Sequence, residues 1–277
     1  MILKERVQQS LQVIQSRMDK PPHVAVVLGS GLGGFADQLE HPIVVPTNEI
    51  PHYPVSTVPG HSGRWIFGNI KNVPTLCIQG RVHYYEGYSL EQVTYYIHLL
   101  AGLGIRHLIL TTACGGLNPQ FQAGDLMLMT DQINFAFNNP LIGQPENQLG
   151  PRFPDMSQPF DPQLLQIAEQ VGVESGHPFQ KGVFFWVTGP NYETVAEVRA
   201  FRALGGDAVS MSTAPEVIVA NQRHLRVLGI SLITNPATGF SDRPLSHVEV
   251  TEMAHQAGER LGLLLGEIIY RIRLLGD

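Results

Sequence analysis

Residues 23–34 read HVAVVLGSGLGG, and this stretch decides the fold that we expect. Its apolar part, 24–28, is typical of a short strand buried on both faces. Glycines at positions 29, 31, 33 and 34 follow it and predict a loop at the carboxyl end of that strand. Ligands of open α/β sheets bind beyond the carboxyl ends of the strands. We therefore expect an α/β fold with a ligand site beside this loop.

Strand and helix patterns alternate along the rest of the chain. Apolar residues spaced by three and four from Leu3 to Met18 predict an N-terminal helix within residues 1–20. Further strands are predicted at 64–70, 73–79, 106–111, 126–130, 182–188, 207–212 and 225–234, and helices at 89–103, 162–171, from 194, from 214 and at 247–275. This alternation predicts one α/β domain over residues 1–277, with a parallel sheet covered by helices. Two irregular segments, 138–160 and 240–246, are predicted to be mobile loops.

Composition excludes several classes of protein. The chain has 277 residues, of which 43% are apolar and 15% charged, so disorder is excluded. Its 18 basic and 24 acidic residues give a net charge of −6, which disfavours nucleic acid as a partner but not a small anion. Cys77 and Cys114 form no metal or disulfide pattern and are expected to be buried thiols in a reducing compartment. With no signal peptide and no apolar run of about 18 residues, we expect a soluble cytoplasmic protein without a membrane partner.

The glycine-rich loop admits three interpretations. Gly29, Gly31 and Gly34 match the dinucleotide-binding fingerprint, which would make the chain an NAD-binding oxidoreductase. That fingerprint needs an acidic residue about 20 positions on, but Glu49 lies in a proline-rich loop. The loop 29–31, with the Ser30 hydroxyl, suits a single phosphate better. A plain turn between a strand and a helix stays open as well.

A second motif, GRVHYYEGY at 80–88, concentrates charged and aromatic residues. Arg81 and His83 lie on the same side of an extended segment and together are able to hold a phosphate dianion. Glu86 is placed to orient or charge His83. His61, between glycines in GHSG, is also free to reach a ligand. The alternative is that both segments are surface turns.

The motif GPNYET at 189–194 follows a predicted strand. Tyr192 offers an aromatic face and Glu193 an acceptor, a pair that suits a planar heterocycle bearing N–H donors. Thr194 and Glu197 also form a capping box, which by itself explains part of the motif. Both interpretations are compatible with each other.

Small polar residues mark three other strand or helix ends. Ser212 follows one predicted strand, and Thr234 with Asn235 ends another, where they are able to bind an anion or a sugar. His247 begins the last helix, whose N-terminus disfavours a charged imidazole. A neutral histidine there is able to hydrogen-bond a hydroxyl group.

Taken together, these motifs resemble the trimeric purine nucleoside phosphorylases. The matching segments occur in the family's order and are GSGLGG (29–34), PGHSG (59–63), GRVHYYEGY (80–88), TTACGGLNP (111–119), DQIN (131–134), GPNYETVAEVR (189–199), SMSTAPEVIVA (210–220), SLITN (231–235) and SHVEV (246–250). The resemblance implies a twisted, mixed and partly barrel-like sheet flanked by helices. It also implies a pentosyltransferase that converts a purine (deoxy)nucleoside and phosphate into free purine and (deoxy)ribose 1-phosphate.

The resemblance also implies a role for each matching residue. The phosphate would contact Ser30, His61, Arg81, His83, Ser212 and the backbone of Ala113. The base would contact Tyr192, Glu193, Thr234 and Asn235, and the sugar would contact Tyr85, Met211, His247 and, from a neighbouring subunit of a homotrimer, Phe153. The catalytic set would be His83, Glu193, Asn235 and His247. No cofactor or metal is expected, because inorganic phosphate is the co-substrate and nucleophile.

The chemistry of glycosidic cleavage agrees with that set. The transition state has positive charge on the sugar and negative charge on the leaving base. Phosphate beneath the sugar stabilises the first, and Asn235 and Glu193 stabilise the second. These two side chains favour inosine and guanosine over adenosine, whose N1 carries no proton. The resemblance implies that the methylthioadenosine phosphorylase relatives carry Asp in place of Asn235, and specificity of that type stays an alternative. A non-catalytic nucleoside-binding module is a further alternative.

This chain departs from the family's usual motifs at several positions. Thr112 and Cys114 stand where TNAAGG is usual, Ser210 stands where GMST has glycine, and Pro236 follows Asn235. These departures bear on the base and sugar preference rather than on the class of reaction.

Overall fold

The computed structural model describes residues 1–18, 20–58, 63–144, 149–239 and 247–275. Within these ranges the strands are β1 (Val24–Leu28), β2 (Glu40–Pro46), β3 (Arg64–Ile70), β4 (Val73–Gln79), β5 (His107–Gly116), β6 (Leu126–Asn134), β7 (Gln180–Trp186), β8 (Ala208–Ser210) and β9 (Arg226–Pro236). The α-helices are α1 (Leu3–Gln15), α2 (Leu90–Val93), α3 (Tyr95–Gly102), α4 (Pro162–Glu174), α5 (Val195–Ala203), α6 (Ala214–Gln222) and α7 (His247–Arg273). No helix of the described residues is long and apolar enough to cross a membrane.

The nine strands form one mixed sheet in the order β2-β3-β4-β1-β5-β8-β7-β6-β9. An additional pairing of β5 with β9 closes the last five strands of that order into a ring, so this part of the sheet is a barrel. The prediction of an α/β fold with a mixed, partly barrel-like sheet is therefore confirmed.

Strand β5 decides where a crevice opens. One edge of β5 pairs with β9 along its whole length. On the other edge it pairs with β1 only as far as Leu110, and with β8 only from Gly115 onward. Strands β1 and β8 diverge over residues 111–114, and a sheet that divides in this way leaves a crevice at the strand ends.

Packing on the two faces of the sheet explains the buried strand β1. Ala25 and Val27 pack into a core with side chains of α1, α3 and α6, whereas Val24, Val26 and Leu28 pack against α4 and α7. All five residues of β1 are buried because helices cover both faces. The apolar run in the sequence is the direct consequence.

Local sequence pattern alone misjudged three features of the fold. The alternation of strands and helices predicted a parallel sheet, whereas the sheet is mixed, as the family resemblance implied, with antiparallel pairs β2–β3, β3–β4, β5–β8 and β6–β9. Strand β2 was not predicted. The edge strand β2 has the largely exposed side chains of an edge and lacks a strong apolar pattern. The helix predicted at 89–103 divides at Thr94, whose hydroxyl donates to the carbonyl of Leu90 at 2.8 Å and competes with the helical backbone bonds.

Candidate active site

A cavity lies where β1 and β8 diverge along β5. It is lined by many of the residues that the sequence motifs singled out, namely Ser30, Arg81, His83, Tyr85, Ala113, Tyr192, Glu193, Met211, Ser212, Thr234 and Asn235. Gly29, from the loop predicted to hold a phosphate, also lines it, as do residues that were not predicted to bind a ligand: Leu28, Thr112, Cys114, Gly115, Val209 and Ser210. Residues far apart in the sequence thus meet at the carboxyl ends of the strands.

The glycine-rich loop lies directly against β5. A Cβ atom on Gly29 would lie 2.8 Å from the backbone oxygen of Thr111, so only glycine fits there. The Gly29 amide donates to the Thr111 hydroxyl at 3.0 Å, and that hydroxyl donates to the carbonyl of Val27 at 2.9 Å. The chain then enters a short 3-10 helix, Gly33–Gln38, instead of the α-helix that a dinucleotide site requires.

Arg81 is held in place on one side of the cavity by a buried network. Its guanidinium is 2% exposed and donates to the Ser212 hydroxyl at 2.7 Å and to the Thr213 hydroxyl at 3.3 Å. A nitrogen of the same group lies 3.2 Å from a carboxylate oxygen of Glu216, which also accepts a bond from the Tyr96 hydroxyl at 3.2 Å. The buried positive charge of Arg81 is therefore compensated before any ligand binds.

Glu216 is a buried charged residue of this network that sequence reasoning missed. It lies in the first turn of α6 and is 1% exposed. A charged residue inside the apolar helix APEVIVA was the available signal, because a buried carboxylate requires a partner. That partner is Arg81, 135 positions earlier in the chain (216 − 81), so the pairing was not visible in the sequence.

His83 is oriented by Glu86, as its motif suggested. The Nδ1 atom of His83 lies 3.2 Å from a carboxylate oxygen of Glu86, which also accepts from the His83 backbone amide at 2.6 Å. Burial alone would raise the pKa of Glu86, but hydrogen bonds from His83 and Thr57 lower it to about 2. Burial lowers the pKa of His83 despite Glu86. A neutral His83 that donates from Nδ1 to this carboxylate leaves Nε2 as an acceptor.

Hydroxyl groups extend this network across the cavity wall. The Thr112 hydroxyl lies 3.1 Å from that of Ser212 and 3.4 Å from that of Ser210. Ser210 in turn donates to the backbone oxygen of Ala113 at 2.9 Å. We call the part of the cavity formed by Arg81, His83 and Ser212 the cationic end. Each of these side chains has a protein partner before a ligand arrives.

A second part of the same cavity, formed by Tyr192, Glu193 and Asn235, is called the aromatic end. The loop after β7 reaches it through Gly189, where a Cβ atom would lie 2.3 Å from the sulfur of Met211. Tyr192 is 39% exposed. Burial raises the pKa of Glu193, so this carboxylate gains from a hydrogen-bond donor on a ligand.

The capping box predicted after this loop is confirmed. The Glu197 amide donates to the Thr194 hydroxyl at 3.2 Å, and the Thr194 amide donates to the Glu197 carboxylate at 2.7 Å. Because Thr194 begins α5, the cap ties Glu193 to a helix terminus.

A bulge at the end of β9 positions Asn235. Cys114 pairs with Ile233 but Gly115 pairs with Asn235, so Thr234 is an extra residue in the ladder. The Thr234 hydroxyl donates to Asn235 Oδ1 at 2.8 Å, and Asn235 Nδ2 donates to the carbonyl of Pro236 at 2.9 Å. These contacts orient the amide at the cavity wall.

Some predicted site residues are not placed in this cavity. Segment 240–246, His61 and the side chain of His247 lie outside the described residues. Phe153 is 85% exposed and lines a different cavity, together with residues of the 131–159 region. The described parts of 138–160 contain neither helix nor strand, and the predicted mobility of this segment stays a prediction.

Comparisons with known proteins agree with one another. The family model described as "Phosphorylase superfamily" matches residues 23–270. The chain is 49% identical to purine nucleoside phosphorylase 1 of Bacillus subtilis over 92% of this chain and 94% of that protein. It is 42% identical to the purine nucleoside phosphorylase of Bos taurus, over 98% and 96% of the two chains. Its structure matches Schistosoma mansoni purine nucleoside phosphorylase in complex with inosine, with a TM-score of 0.91 and 34% identity over 96% and 95% of the two chains.

Proposed function

The chain belongs to the phosphorylase superfamily, and on that premise we propose that it catalyses the reversible phosphorolysis of purine nucleosides. One observation carries the proposal: a buried cationic end and an aromatic end share one cavity. The first suits an anion and the second suits a purine, so a nucleoside that bridges them presents its glycosidic bond to the phosphate. Such an enzyme is a pentosyltransferase.

The proposed reaction breaks one bond and makes one bond. An oxygen of inorganic phosphate attacks C1′ of the sugar, the bond from C1′ to N9 breaks, and its electron pair leaves with the purine. The proton of hydrogen phosphate is transferred through solvent to the purine anion, so the products are the neutral free base and the pentose 1-phosphate dianion. Phosphate is the co-substrate and nucleophile, so the reaction as written calls for no cofactor.

Each end of the cavity stabilises part of the charge that develops. Arg81, Ser212, Ser30 and the backbone of Ala113 hold the phosphate, and neutral His83 accepts the phosphate O–H at Nε2. Asn235 donates to the leaving purine while Glu193 accepts from its N1–H. A fixed donor that acts on the charge developing in the transition state is worth roughly 3 kcal/mol.

The preferred bases in this proposal are 6-oxopurines. Inosine and guanosine carry a proton on N1 that Glu193 accepts, whereas N1 of adenosine is an acceptor and faces the carboxylate unfavourably. We propose that inosine and guanosine are turned over faster than adenosine.

Exposed apolar side chains support a homotrimer as the functional form. Phe137, Ile142 and Phe153 are 84%, 73% and 85% exposed, and all three belong to the region 137–153. In the proposed trimer, Phe153 of one subunit contacts the sugar site of the next. The expected mass by light scattering is three times that of the chain, and Phe153→Ala is expected to raise the KM for inosine more than that for phosphate.

The cellular setting is also a proposal. Cys77 and Cys114 are both buried free thiols, which is usual for a protein of the reducing cytoplasm. We place the enzyme there, in the salvage of purines. Its distribution between cytoplasmic and other cell fractions is the measurement that tests this placement.

The decisive experiment measures turnover of inosine, guanosine, xanthosine, adenosine and methylthioadenosine with and without phosphate. We expect phosphate-dependent release of hypoxanthine from inosine and slow turnover of adenosine. Binding of NAD without cleavage of inosine would support the oxidoreductase alternative. Binding of inosine without turnover would show a nucleoside-binding module instead.

A further inference from the structure

Ser210 belongs to the wall of the cavity that both ends share. Ser210 is the last residue of β8 and pairs with Trp186, the last residue of β7, from which the chain continues to Glu193. Two residues further on, Ser212 accepts the hydrogen bond of Arg81. Ser210 is connected to Ser212 through the Thr112 hydroxyl, and its strand neighbour β7 leads to Glu193, so we take the sugar of a bridging nucleoside to be the part nearest to Ser210.

The hydrogen-bond partners of the Ser210 hydroxyl determine whether it donates to a ligand or accepts from it. Ser210 donates its only proton to the carbonyl of Ala113 at 2.9 Å. The Thr112 hydroxyl lies 3.4 Å away and uses at most one lone pair of the Ser210 oxygen. Because a hydroxyl has one proton and two lone pairs, the Ser210 oxygen then offers a ligand an acceptor and no proton.

The reactants contain few donors that match such an acceptor. In inosine the base has a single N–H group, at N1, which Glu193 accepts in the proposed function. The O–H group of hydrogen phosphate is taken by Nε2 of His83. The remaining donors are the sugar hydroxyls, and the 2′-hydroxyl lies on the carbon next to C1′, where the phosphate attacks.

We propose that Ser210 accepts a hydrogen bond from the 2′-hydroxyl and makes this enzyme prefer ribonucleosides to 2′-deoxyribonucleosides. The inference rests on the proposed function and adds a specificity-determining residue to it. A glycine at this position would offer no such acceptor. One net hydrogen bond of this kind corresponds to roughly a fivefold difference in kcat/KM.

The test compares inosine with 2′-deoxyinosine at saturating phosphate in the unmodified enzyme, Ser210→Ala and Ser210→Gly. We expect both variants to lose roughly fivefold in kcat/KM for inosine and little for 2′-deoxyinosine. Thr112 is able to replace Ser210 as donor to Ala113, since its hydroxyl lies 3.3 Å from that carbonyl oxygen. Thr112→Val serves as the control, because it removes a hydroxyl beside Ser212 and is expected to change both substrates alike.

Two results would overturn the inference and leave the proposed function intact. The first is an unchanged kcat/KM for inosine and for 2′-deoxyinosine in both Ser210 variants. The second is an equal loss on both substrates, which is what a purely structural role would cause. If the unmodified enzyme cleaves neither nucleoside in phosphate, the proposed function fails and the inference fails with it.

Discussion

The two ends of the cavity differ in how far protein contacts fix their side chains before a ligand binds. At the cationic end Arg81, His83 and Ser212 are 2%, 7% and 8% exposed, and partners from other segments hold them. At the aromatic end Tyr192 is 39% exposed and its loop depends on the capped start of α5. A binding site for a small anion needs charges fixed in advance, because their reorganisation would oppose binding. A purine ring is large and displaces water from the aromatic end when it binds, so this end needs fewer contacts fixed in advance.

Two carboxylates show the same difference. Glu86 receives hydrogen bonds from His83 and Thr57, which outweigh its burial and lower its pKa to about 2. Glu193 is half-buried without a comparable set of donors, and burial raises its pKa. Glu86 has its donors without a ligand, whereas in the proposed function Glu193 receives one from the substrate.

The largest expected effect follows from Arg81→Gln. Loss of the guanidinium is expected to lower kcat/KM for phosphate by about 10³-fold, because a fixed charge at the nucleophile is removed. The same change leaves Glu216 buried without its partner and is expected to lower the free energy of unfolding by about 3 kcal/mol. Steady-state kinetics and urea unfolding measure the two effects.

The double variant Arg81→Gln/Glu216→Gln separates activity from stability. It is expected to recover most of the lost stability while phosphorolysis stays low, since the unpaired charge is gone but phosphate is not bound. Arg199→Gln, on the exposed surface of α5, is the matched control and should change neither quantity. Recovery of activity in the double variant would contradict the assignment of Arg81 to phosphate.

Glu193→Gln is expected to have the next largest effect, and on activity alone. A glutamine accepts N1–H less strongly and is expected to reduce kcat/KM for inosine by about 10²-fold. In the unmodified enzyme the ionised carboxylate is required, and burial raises its pKa above the usual 4.5. Activity should therefore fall as the pH decreases through a value above 4.5, and this acid limb should disappear in the variant.

The stability of this variant distinguishes the two ends. Glu193→Gln should unfold at the same urea concentration as the unmodified chain, as should the exposed control Glu169→Gln. If Glu193→Gln lowered the free energy of unfolding as much as Arg81→Gln, the side chains of the aromatic end would also be fixed by protein contacts.

Asn235→Asp is expected to change the choice of base rather than the reaction. Aspartate accepts from the 6-amino group of adenosine, whereas asparagine is able to donate to a 6-oxo group. We expect the ratio of kcat/KM for adenosine to that for inosine to rise by about tenfold, which corresponds to one charge-assisted hydrogen bond. An unchanged ratio in the same assays would contradict the placement of Asn235 at the purine.

The smallest expected effect comes from Thr194→Ala. Removal of this N-cap is expected to lower the free energy of unfolding by about 1 kcal/mol. The loop 189–193 should then hold Glu193 less well, so the KM for inosine should rise while the KM for phosphate stays the same. Ser89→Ala, which removes the cap of α2, is the control and should affect stability alone. Equal increases in both KM values would show that the two ends are coupled.

Local pattern predicted much of the fold. The strand at 24–28 and the hairpin of 64–70 and 73–79 lie where the sequence placed them, because buried strands and two-residue turns are determined by neighbouring residues. Strand β2 was missed, and the helix predicted at 89–103 divides at Thr94, since exposure at an edge and a competing hydroxyl depend on the surroundings.

The sequence by itself determined the class of fold, the family and the motifs that line one cavity. Only the tertiary structure decided that β5 pairs with β9 to close a ring, and that β1 and β8 diverge to open the crevice. It also paired Arg81 with Glu216 and joined Ser210 to the carbonyl of Ala113. Such contacts connect residues about a hundred or more positions apart, and their geometry follows from packing of the whole sheet rather than from any local pattern of residues.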